Sequence, residues 1–392
     1  MEICHAACIS CSVPLLSDRL SSVTKRRARS SHRPLSSDYS DAAPPGSLSP
    51  LPRWVERLCV LQQRVRSARR LVAISVWIPG SVAFRALLLR VPGTAKIRWS
   101  RVIFSTLCRL LGIRVRTIGH RAGTTGGRRA RKRGERPVIY ISNHSSWLDV
   151  LVLGKVLPTV FVAKSDILGW PGMGLIARIG ETIFVSRNRS STGRESDEMF
   201  SSLNEGNNMV LFPEGTSSDG SRVLPFMSTF FAIAKPPQLR GSAKTNGAPP
   251  LSGATFAPGM TPIIQPVSLV YDQLNGLPVQ RLKRPVFAWY AEMELGPHLW
   301  QLTQWKQARA SVIFHEPLDP ELYPSRKALA QATWKAVAQG AAYLRQNNPD
   351  AAPEPAKHAP TSLPRDTLRG LAGKLDKMSR RLSASRQKTR RH

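Results

Sequence analysis

A histidine and an aspartate five positions apart, His144 and Asp149, are the first pair in this sequence that could carry out proton chemistry. Both lie in the segment NHSSWLD. A neutral imidazole can accept a proton from an attacking group near neutral pH, and a carboxylate beside it can orient the ring. The same segment also has a structural interpretation, because Ser146 and Asp149 have the S-x-x-D spacing of a capping box at a helix start. These residues alone leave both interpretations open.

Two further polar clusters follow apolar runs later in the chain. In FPEGTSSDG, Glu214 comes two residues after the end of NMVLF, and GETIFVSR ends in Arg187. The carboxylate of Glu214 could hold a substrate or accept backbone amides, and the guanidinium of Arg187 could offer an anion two hydrogen bonds. Ligands of open α/β sheets bind beyond the carboxyl ends of strands. The three clusters therefore predict one site at one edge of one sheet.

Strand and helix patterns alternate around these clusters, which is typical of an α/β domain with a mixed, largely parallel sheet flanked by helices. The predicted strands are residues 138–142, 159–163, 182–186, 208–212, 263–270, 286–292 and 311–315. The predicted helices are residues 146–154, 166–179, 196–203, 226–234 and 326–346. Residues 236–262, rich in Pro, Gly and Ser, are expected to form a loop insertion.

Helices rich in arginine are predicted ahead of this domain. A helical pattern over residues 52–70 leads into the uncharged run 71–84, which contains Pro79-Gly80 and is shorter than the ~20 residues that a bilayer core requires. The arginines around it could reach lipid phosphates, which favours a kinked or interfacial membrane helix over a buried core helix. They are Arg69, Arg70, Arg85 and Arg90.

A second amphipathic helix is predicted over residues 97–111, with arginines outside its apolar face. That face contains Val102, Ile103, Leu107, Leu110 and Leu111. Two basic, apolar helices in succession predict contact with an anionic membrane surface. N-terminal membrane-associating helices are therefore expected in residues 52–122.

The formal net charge of +32 is unevenly distributed along the 392 residues. Residues 1–137 carry +21 and residues 351–392 carry +8, so the central part is close to neutral. The expected organisation is a disordered basic extension (1–51), a membrane-associating helical segment (52–122), an α/β domain (123–346) and a basic tail with an amphipathic helix (347–392). Basic ends are compatible with anionic lipid or nucleic acid. No zinc finger, helix-turn-helix or RNA-recognition signature accompanies them, so nucleic-acid binding is the less favoured alternative.

The five cysteines give little indication of a metal site. Cys8 and Cys11 form a single CxxC, whereas a structural zinc site takes four ligands. Unpaired cysteines are typical of a reducing compartment. No metal ligands are therefore expected.

Four motifs in succession resemble those of the glycerolipid acyltransferases, which include the lysophosphatidic acid acyltransferases. They are NHSSWLD, the GxxxFxxR spacing of Gly180, Phe184 and Arg187, FPEGT at Phe212 to Thr216, and Pro266-Val267. The segment AKSDILGWPGMG, from Ala163 to Gly174, is also similar to the segment between that family's first two motifs. The resemblance covers residues 97–315 and implies the α/β glycerolipid acyltransferase fold.

The resemblance also implies roles for individual residues. His144 would act as the general base on the acceptor hydroxyl, and Asp149 would orient the imidazole, with no acyl-enzyme intermediate. Substrate-binding residues would be Lys164, Arg187, Glu214, Gly215 and Thr216. No cofactor is implied, because acyl-CoA or acyl carrier protein is a co-substrate.

The implied reaction transfers a fatty acyl group to the hydroxyl of a lysolipid at the cytoplasmic face of the cell inner membrane. The primary expectation for the acceptor is 1-acylglycerol-3-phosphate, giving phosphatidic acid in phospholipid biosynthesis. The family usually continues FPEGT with Arg-Ser, whereas this chain has Ser217-Ser218. Small hydroxyl residues there are similar to the branch that acylates lyso-ornithine lipid, an acceptor without phosphate, which is the alternative. Arg187 or Arg222 could supply the missing positive charge.

Overall fold

The computed structural model describes residues 52–88, 95–164, 174, 183–185, 192–234, 256, 261–290 and 293–346. The helices are α1 (Arg53–Leu88), α2 (Ala95–Leu110), α3 (Arg128–Lys132), α4 (Leu148–Val156), α5 (Thr192–Asn204), α6 (Leu295–Gln304) and α7 (Arg326–Arg345). The strands are β1 (Ile113–Ile118), β2 (Val138–Ser142), β3 (Val160–Lys164), β4 (Ile183–Val185), β5 (Met209–Leu211), β6 (Ile263–Leu274), β7 (Leu277–Pro278) and β8 (Ala308–Phe314).

The strands form one mixed sheet in the order β1-β8-β6-β2-β5-β3-β4, with β7 paired to β6. Strands β6, β2, β5, β3 and β4 run parallel to one another. Strand β8 is antiparallel to β6 and parallel to β1. The predicted mixed, largely parallel sheet is therefore confirmed. The carboxyl ends of β2, β5 and β4, which precede the three polar clusters, lie at the same edge.

Helices cover both faces of the sheet because the central strands are apolar on both sides. All five residues of β2 are buried, and they alternate between two cores. Val138 and Tyr140 pack with α2, α4 and α6 on one face. Ile139 and Ile141 pack with α5 and the start of α7 on the other. Continuous apolar strands are expected in a sheet that is buried on both faces.

Helix α2 confirms the helix predicted over residues 97–111, and most of its apolar face is buried in the domain, while Val102 is 42% exposed. Ile103 and Leu107 are buried in the main core, where α2 packs against α4. Phe104 lies so close to Gly154 of α4 that a Cβ at that glycine would collide with its ring. An apolar stripe has the same spacing on a helix that faces a protein core and on one that faces a membrane. In α2 most of this stripe is buried in the core of the domain.

Helix α1 runs without a break through Pro79, so the predicted helix 52–70 and the apolar run form a single element of 36 residues. Of the described helices it alone is long and apolar enough to cross a membrane, and 11% of its most apolar window is buried in the protein. Val72 and Val76 are 64% and 72% exposed on it. This long, exposed apolar helix indicates membrane association.

Arg70 of α1 does not point to lipid phosphates as predicted. Its guanidinium donates to the carbonyl oxygens of Thr303, Trp305 and Lys306 at 3.1, 2.6 and 2.8 Å. These carbonyls lie at the carboxyl end of α6, where a positive charge is favourable. Arg70 therefore fixes α1 to the domain.

Two other local predictions are wrong, and the sequence patterns also missed a strand. Residues 286–292 were predicted as a strand, but a 3₁₀ helix spans Arg281–Val286 and no strand follows in residues 287–290. Pro285 lacks the N–H that a strand ladder needs, and β2 and β8 already occupy both edges of β6. The predicted helix 226–234 is a short 3₁₀ helix, Ser228–Ala232, and β1 was not predicted.

The other predicted strands and helices 146–154, 196–203 and 326–346 are confirmed within a few residues at most ends; the strand predicted over 263–270 continues to Leu274. Four predicted segments lie wholly or mostly outside the described residues. They are the helix 166–179 except for residue 174, most of the 236–262 insertion, the extension 1–51 and the tail after residue 346.

Candidate active site

The turn between β2 and α4 brings His144 and Asp149 together. Helix α4 begins at Leu148, so Asp149 lies in its first turn. A carboxylate in the first turn stabilises a helix because the amino end carries a partial positive charge. His144 lies two residues after β2 ends, at the carboxyl edge of the sheet. The imidazole Nδ1 is 2.9 Å from Asp149 Oδ2. The predicted pair is thus in direct contact.

The hydrogen bond between this pair determines which ring nitrogen faces outward. An ionised carboxylate can only accept, so Nδ1 carries the proton and Nε2 keeps its lone pair. The His144 side chain is 23% exposed, while that of Asp149 is fully buried. The imidazole stacks on Phe212 with ring centroids 4.2 Å apart. Nε2 has no hydrogen-bond partner among the described residues, which leaves it available to an incoming hydroxyl.

Asp149 also performs the capping function that its spacing suggested. Its Oδ2 accepts the backbone N–H groups of Ser145 and Ser146 at 2.7 and 2.9 Å. These donors satisfy a buried carboxylate that would otherwise be costly to desolvate. The same oxygen, Asp149 Oδ2, therefore caps the start of the helix and contacts the imidazole of His144.

Glu214 connects the FPEGT loop to the histidine. Its Oε1 accepts the backbone N–H of His144 at 2.9 Å, and its Oε2 accepts that of Leu224 at 3.1 Å. Burial raises the pKa of Glu214 to about 7, while the two backbone donors favour the ionised form. Both carboxylate oxygens are engaged with backbone amides. This geometry favours a positioning role for Glu214 over direct contact with the substrate.

The rest of the loop passes close to the same histidine. Ser218 donates its backbone N–H and its hydroxyl to the carbonyl oxygen of His144, at 3.0 and 3.2 Å. Gly215 has φ +68°, a backbone conformation that strains other residues, so this position favours glycine. Thr216 is exposed beside it. Of the FPEGT residues, Thr216 is the most exposed to solvent.

Of the other two predicted substrate-binding residues, the structure describes the position of Lys164 but not that of Arg187. Lys164 is the last residue of β3, at the same sheet edge as the end of β2. Arg187 lies outside the described residues. Strand β4, which precedes Arg187 by two residues, ends at Val185 opposite Lys164.

Two residues that the sequence interpretation missed complete the site. The Asn143 side chain pairs with the backbone of Leu269, donating to its oxygen and accepting from its nitrogen, both at 2.9 Å. Tyr271 donates its hydroxyl to Asp149 Oδ1 at 2.8 Å. Burial and the neighbouring Asp149 raise the pKa of Tyr271 well above its usual value, so it remains a donor. The sequence contained one indication of this role for Tyr271. Val267, Leu269 and Tyr271 alternate along β6, which places Tyr271 on the same face of the sheet as the other two.

We expect Tyr271→Phe to lower kcat about tenfold with little change in either KM. The substitution keeps the ring that stacks on Phe287 and removes the one donor to Asp149 Oδ1 among the described residues, so the carboxylate is held less rigidly. Steady-state kinetics and the pH profile of kcat measure the effect. Tyr140→Phe is the matched control, because that buried hydroxyl donates to Ala122 instead. Equal losses in the two variants would assign Tyr271 a purely structural role.

No group of three or more metal-ligating side chains occurs in the described part of the chain. Cys59 and Cys108 are buried, and burial raises the pKa of Cys108 to about 12. A thiol with such a pKa is a poor nucleophile. Cys4, Cys8 and Cys11 lie outside the described residues.

Comparison with known proteins identifies similar chains. The model of the Acyltransferase family matches residues 124–249. The lyso-ornithine lipid O-acyltransferase of Rhizobium meliloti (strain 1021) is 33% identical over 276 residues, which cover 69% of this chain and 84% of that protein. The 1-acyl-sn-glycerol-3-phosphate acyltransferase of Neisseria gonorrhoeae is 35% identical over 98 residues, which cover 25% of this chain and 38% of that protein.

One solved structure is also among the similar proteins. It is the 1-acyl-sn-glycerophosphate (LPA) acyltransferase PlsC from Thermotoga maritima, with a TM-score of 0.48 and 19% identity. The match covers 73% of this chain and 98% of that one.

Proposed function

The chain belongs to the acyltransferase family and is a lysolipid O-acyltransferase, and on that premise we propose that its acceptor is lyso-ornithine lipid. The observation that carries the proposal is the extent of similarity. The relative named for lyso-ornithine lipid is matched over 84% of its length, whereas the one named for 1-acyl-sn-glycerol-3-phosphate is matched over 38%. The alternative acceptor of the sequence analysis is therefore better supported than the primary one.

The residues after FPEGT support the same acceptor. Ser217 occupies the position where the family usually has arginine, and Ser218 is hydrogen-bonded to His144. A guanidinium binds phosphate through two parallel hydrogen bonds, which a serine cannot replace. A loop without this cation suits an acceptor without phosphate.

The proposed chemistry is direct transfer between two substrates. His144 Nε2 removes the proton of the acceptor hydroxyl while that oxygen attacks the thioester carbonyl of acyl-CoA or acyl carrier protein. The tetrahedral intermediate then expels the thiolate, which takes the proton back from the imidazolium. Asp149 stabilises the imidazolium, and backbone amides near the site stabilise the developing oxyanion. Lys164, Arg187, Glu214, Gly215 and Thr216 form or support the substrate-binding surface.

The reaction is proposed to occur at the cytoplasmic face of the cell inner membrane. Helix α1 presents apolar side chains to the exterior, and Arg66 and Arg70 attach it to the carboxyl end of α6. A catalytic domain fixed in this way stays close to a lipid acceptor, while a thioester donor reaches it from the aqueous side.

The acceptor is tested by measuring acyl transfer to lyso-ornithine lipid and lysophosphatidic acid in parallel, with the same donor. We expect kcat/KM to favour lyso-ornithine lipid. We also expect Ser217→Arg to raise kcat/KM for lysophosphatidic acid by about 10- to 100-fold, because a charged hydrogen bond contributes ~1.5 to 3 kcal/mol.

Ser201→Arg is the control, since it adds the same charge at an exposed position on α5. If both variants gained equally, net charge and not phosphate recognition would explain the effect. A wild-type preference for lysophosphatidic acid would contradict the proposed acceptor.

A further inference from the structure

Two recesses adjoin the active-site loop and share one arginine, Arg284. The first is lined by Asn143, Ser145, Gly220 and Tyr271 together with Arg284 and Arg345. The second is lined by Ser218, Asp219, Arg222, Leu224, Arg281 and Arg284. The walls of both include residues that contact His144 or Asp149. A group held in either recess would therefore lie close to the catalytic pair.

Arg345 reaches the first recess from the carboxyl end of α7, 201 positions after His144 in the chain. Its Nε atom is buried and has no hydrogen-bond partner among the described residues. Burial and the nearby Arg284 lower the pKa of Arg345 to about 10, while Glu214 and Asp219 act in the opposite direction. The guanidinium remains charged at neutral pH. A half-buried, charged group with an unused, buried donor is expected to have a partner, which the described residues do not supply.

The charges around Arg345 are predominantly positive. Among the described residues, no ion pair engages Arg222, Arg281, Arg284 or Arg345. Asp219 lines the second recess, and hydrogen bonds from Ser221 lower its pKa, so it is ionised. The two recesses thus combine unpaired guanidinium groups with one exposed carboxylate.

We propose that these recesses bind the headgroup of the acceptor, with Arg284 and Arg345 holding its carboxylate and Asp219 facing its ammonium group. The inference rests on the proposed lyso-ornithine acceptor and names the residues that select it. An ornithine amide of a fatty acid carries one carboxylate and one side-chain ammonium, which matches the two signs of charge in the recesses. A phosphate acceptor would match the arginines but would supply no cation for Asp219.

The test compares lyso-ornithine lipid with its methyl ester, which keeps the ammonium and loses the carboxylate charge. The wild-type protein should show a KM about 10- to 100-fold lower for the acid, the range expected for charge-assisted hydrogen bonds. Arg284→Gln and Arg345→Met should remove most of this preference and leave the KM of the acyl donor unchanged. The methionine keeps an apolar stem at position 345, and thermal melting verifies the fold.

Two controls separate the headgroup contacts from nonspecific effects. Lys335→Ala, an exposed position on the same helix, should behave as wild type. Asp219→Asn should raise KM for the acid and the ester alike and keep the preference between them.

Each failure has a different meaning. No turnover of lyso-ornithine lipid by the wild-type protein would overturn the proposed function. Turnover with an unaltered preference for the acid in both folded arginine variants would overturn the recess assignment alone. A selective rise in the donor KM would also overturn it, by assigning the arginines to the donor's phosphate groups.

Discussion

His144→Ala is expected to reduce acyl transfer by at least three orders of magnitude while the fold and membrane association are unchanged. A general base contributes typically ~10²- to 10⁴-fold, and Nε2 of His144 is the ring nitrogen left available by Asp149. The side chain stacks on Phe212 at the surface and leaves the buried core intact when it is truncated. Single-turnover acyl transfer with saturating donor and acceptor measures the loss.

The control for this variant is His120→Ala. His120 is an exposed histidine that follows β1, a strand antiparallel to β2, so it lies away from the carboxyl edge where His144 is placed. It should retain wild-type activity. If His144→Ala kept more than a tenth of the activity, the general-base role would be wrong.

Asp149→Asn is expected to lower kcat about 100-fold, less than the loss of His144. Two backbone N–H groups and the histidine all donate to Oδ2, so the new amide should place its oxygen there and its nitrogen toward Tyr271. The Tyr271 hydroxyl can turn to accept from that nitrogen. The histidine therefore keeps its tautomer, and the variant removes mainly the negative charge that stabilises the imidazolium.

Thermal melting distinguishes this charge effect from a disturbed fold, because the new amide keeps the hydrogen bonds of the carboxylate. Asp319→Asn is the control, since Asp319 pairs with Arg136 before the start of β2. Full activity of a folded Asp149→Asn variant would contradict the role of Asp149.

The local parts of the site could be predicted from the sequence because they are short-range. His144 and Asp149 are five residues apart across one strand-to-helix turn, and their contact needs only β2 and α4 to form. The contact between the NHSSWLD and FPEGT segments could also be predicted, because the carboxyl ends of parallel strands lie at the same edge of a sheet. The order of four motifs also indicated the family, to which the chain belongs.

Helix α2 and residues 286–292 show where sequence patterns are ambiguous. An apolar stripe on a helix has the same spacing whether it faces lipid or a sheet, and Ile103 is fully buried against the sheet. The run after Pro285 has strand-forming residues, but no edge of β6 is available to them. Periodicity reports which face is apolar and gives no information about what covers it.

The sequence by itself therefore determined the α/β class, the contact between His144 and Asp149, and the type of reaction that the family performs. Only the tertiary structure decided that Tyr271 holds Asp149 from 122 residues away and that Arg345 lines the recess beside the turn. These contacts depend on the pairing of β6 with β2 and on where α7 docks. Such long-range packing is set by the fit of whole surfaces, so the spacing of residues along the chain does not reveal it.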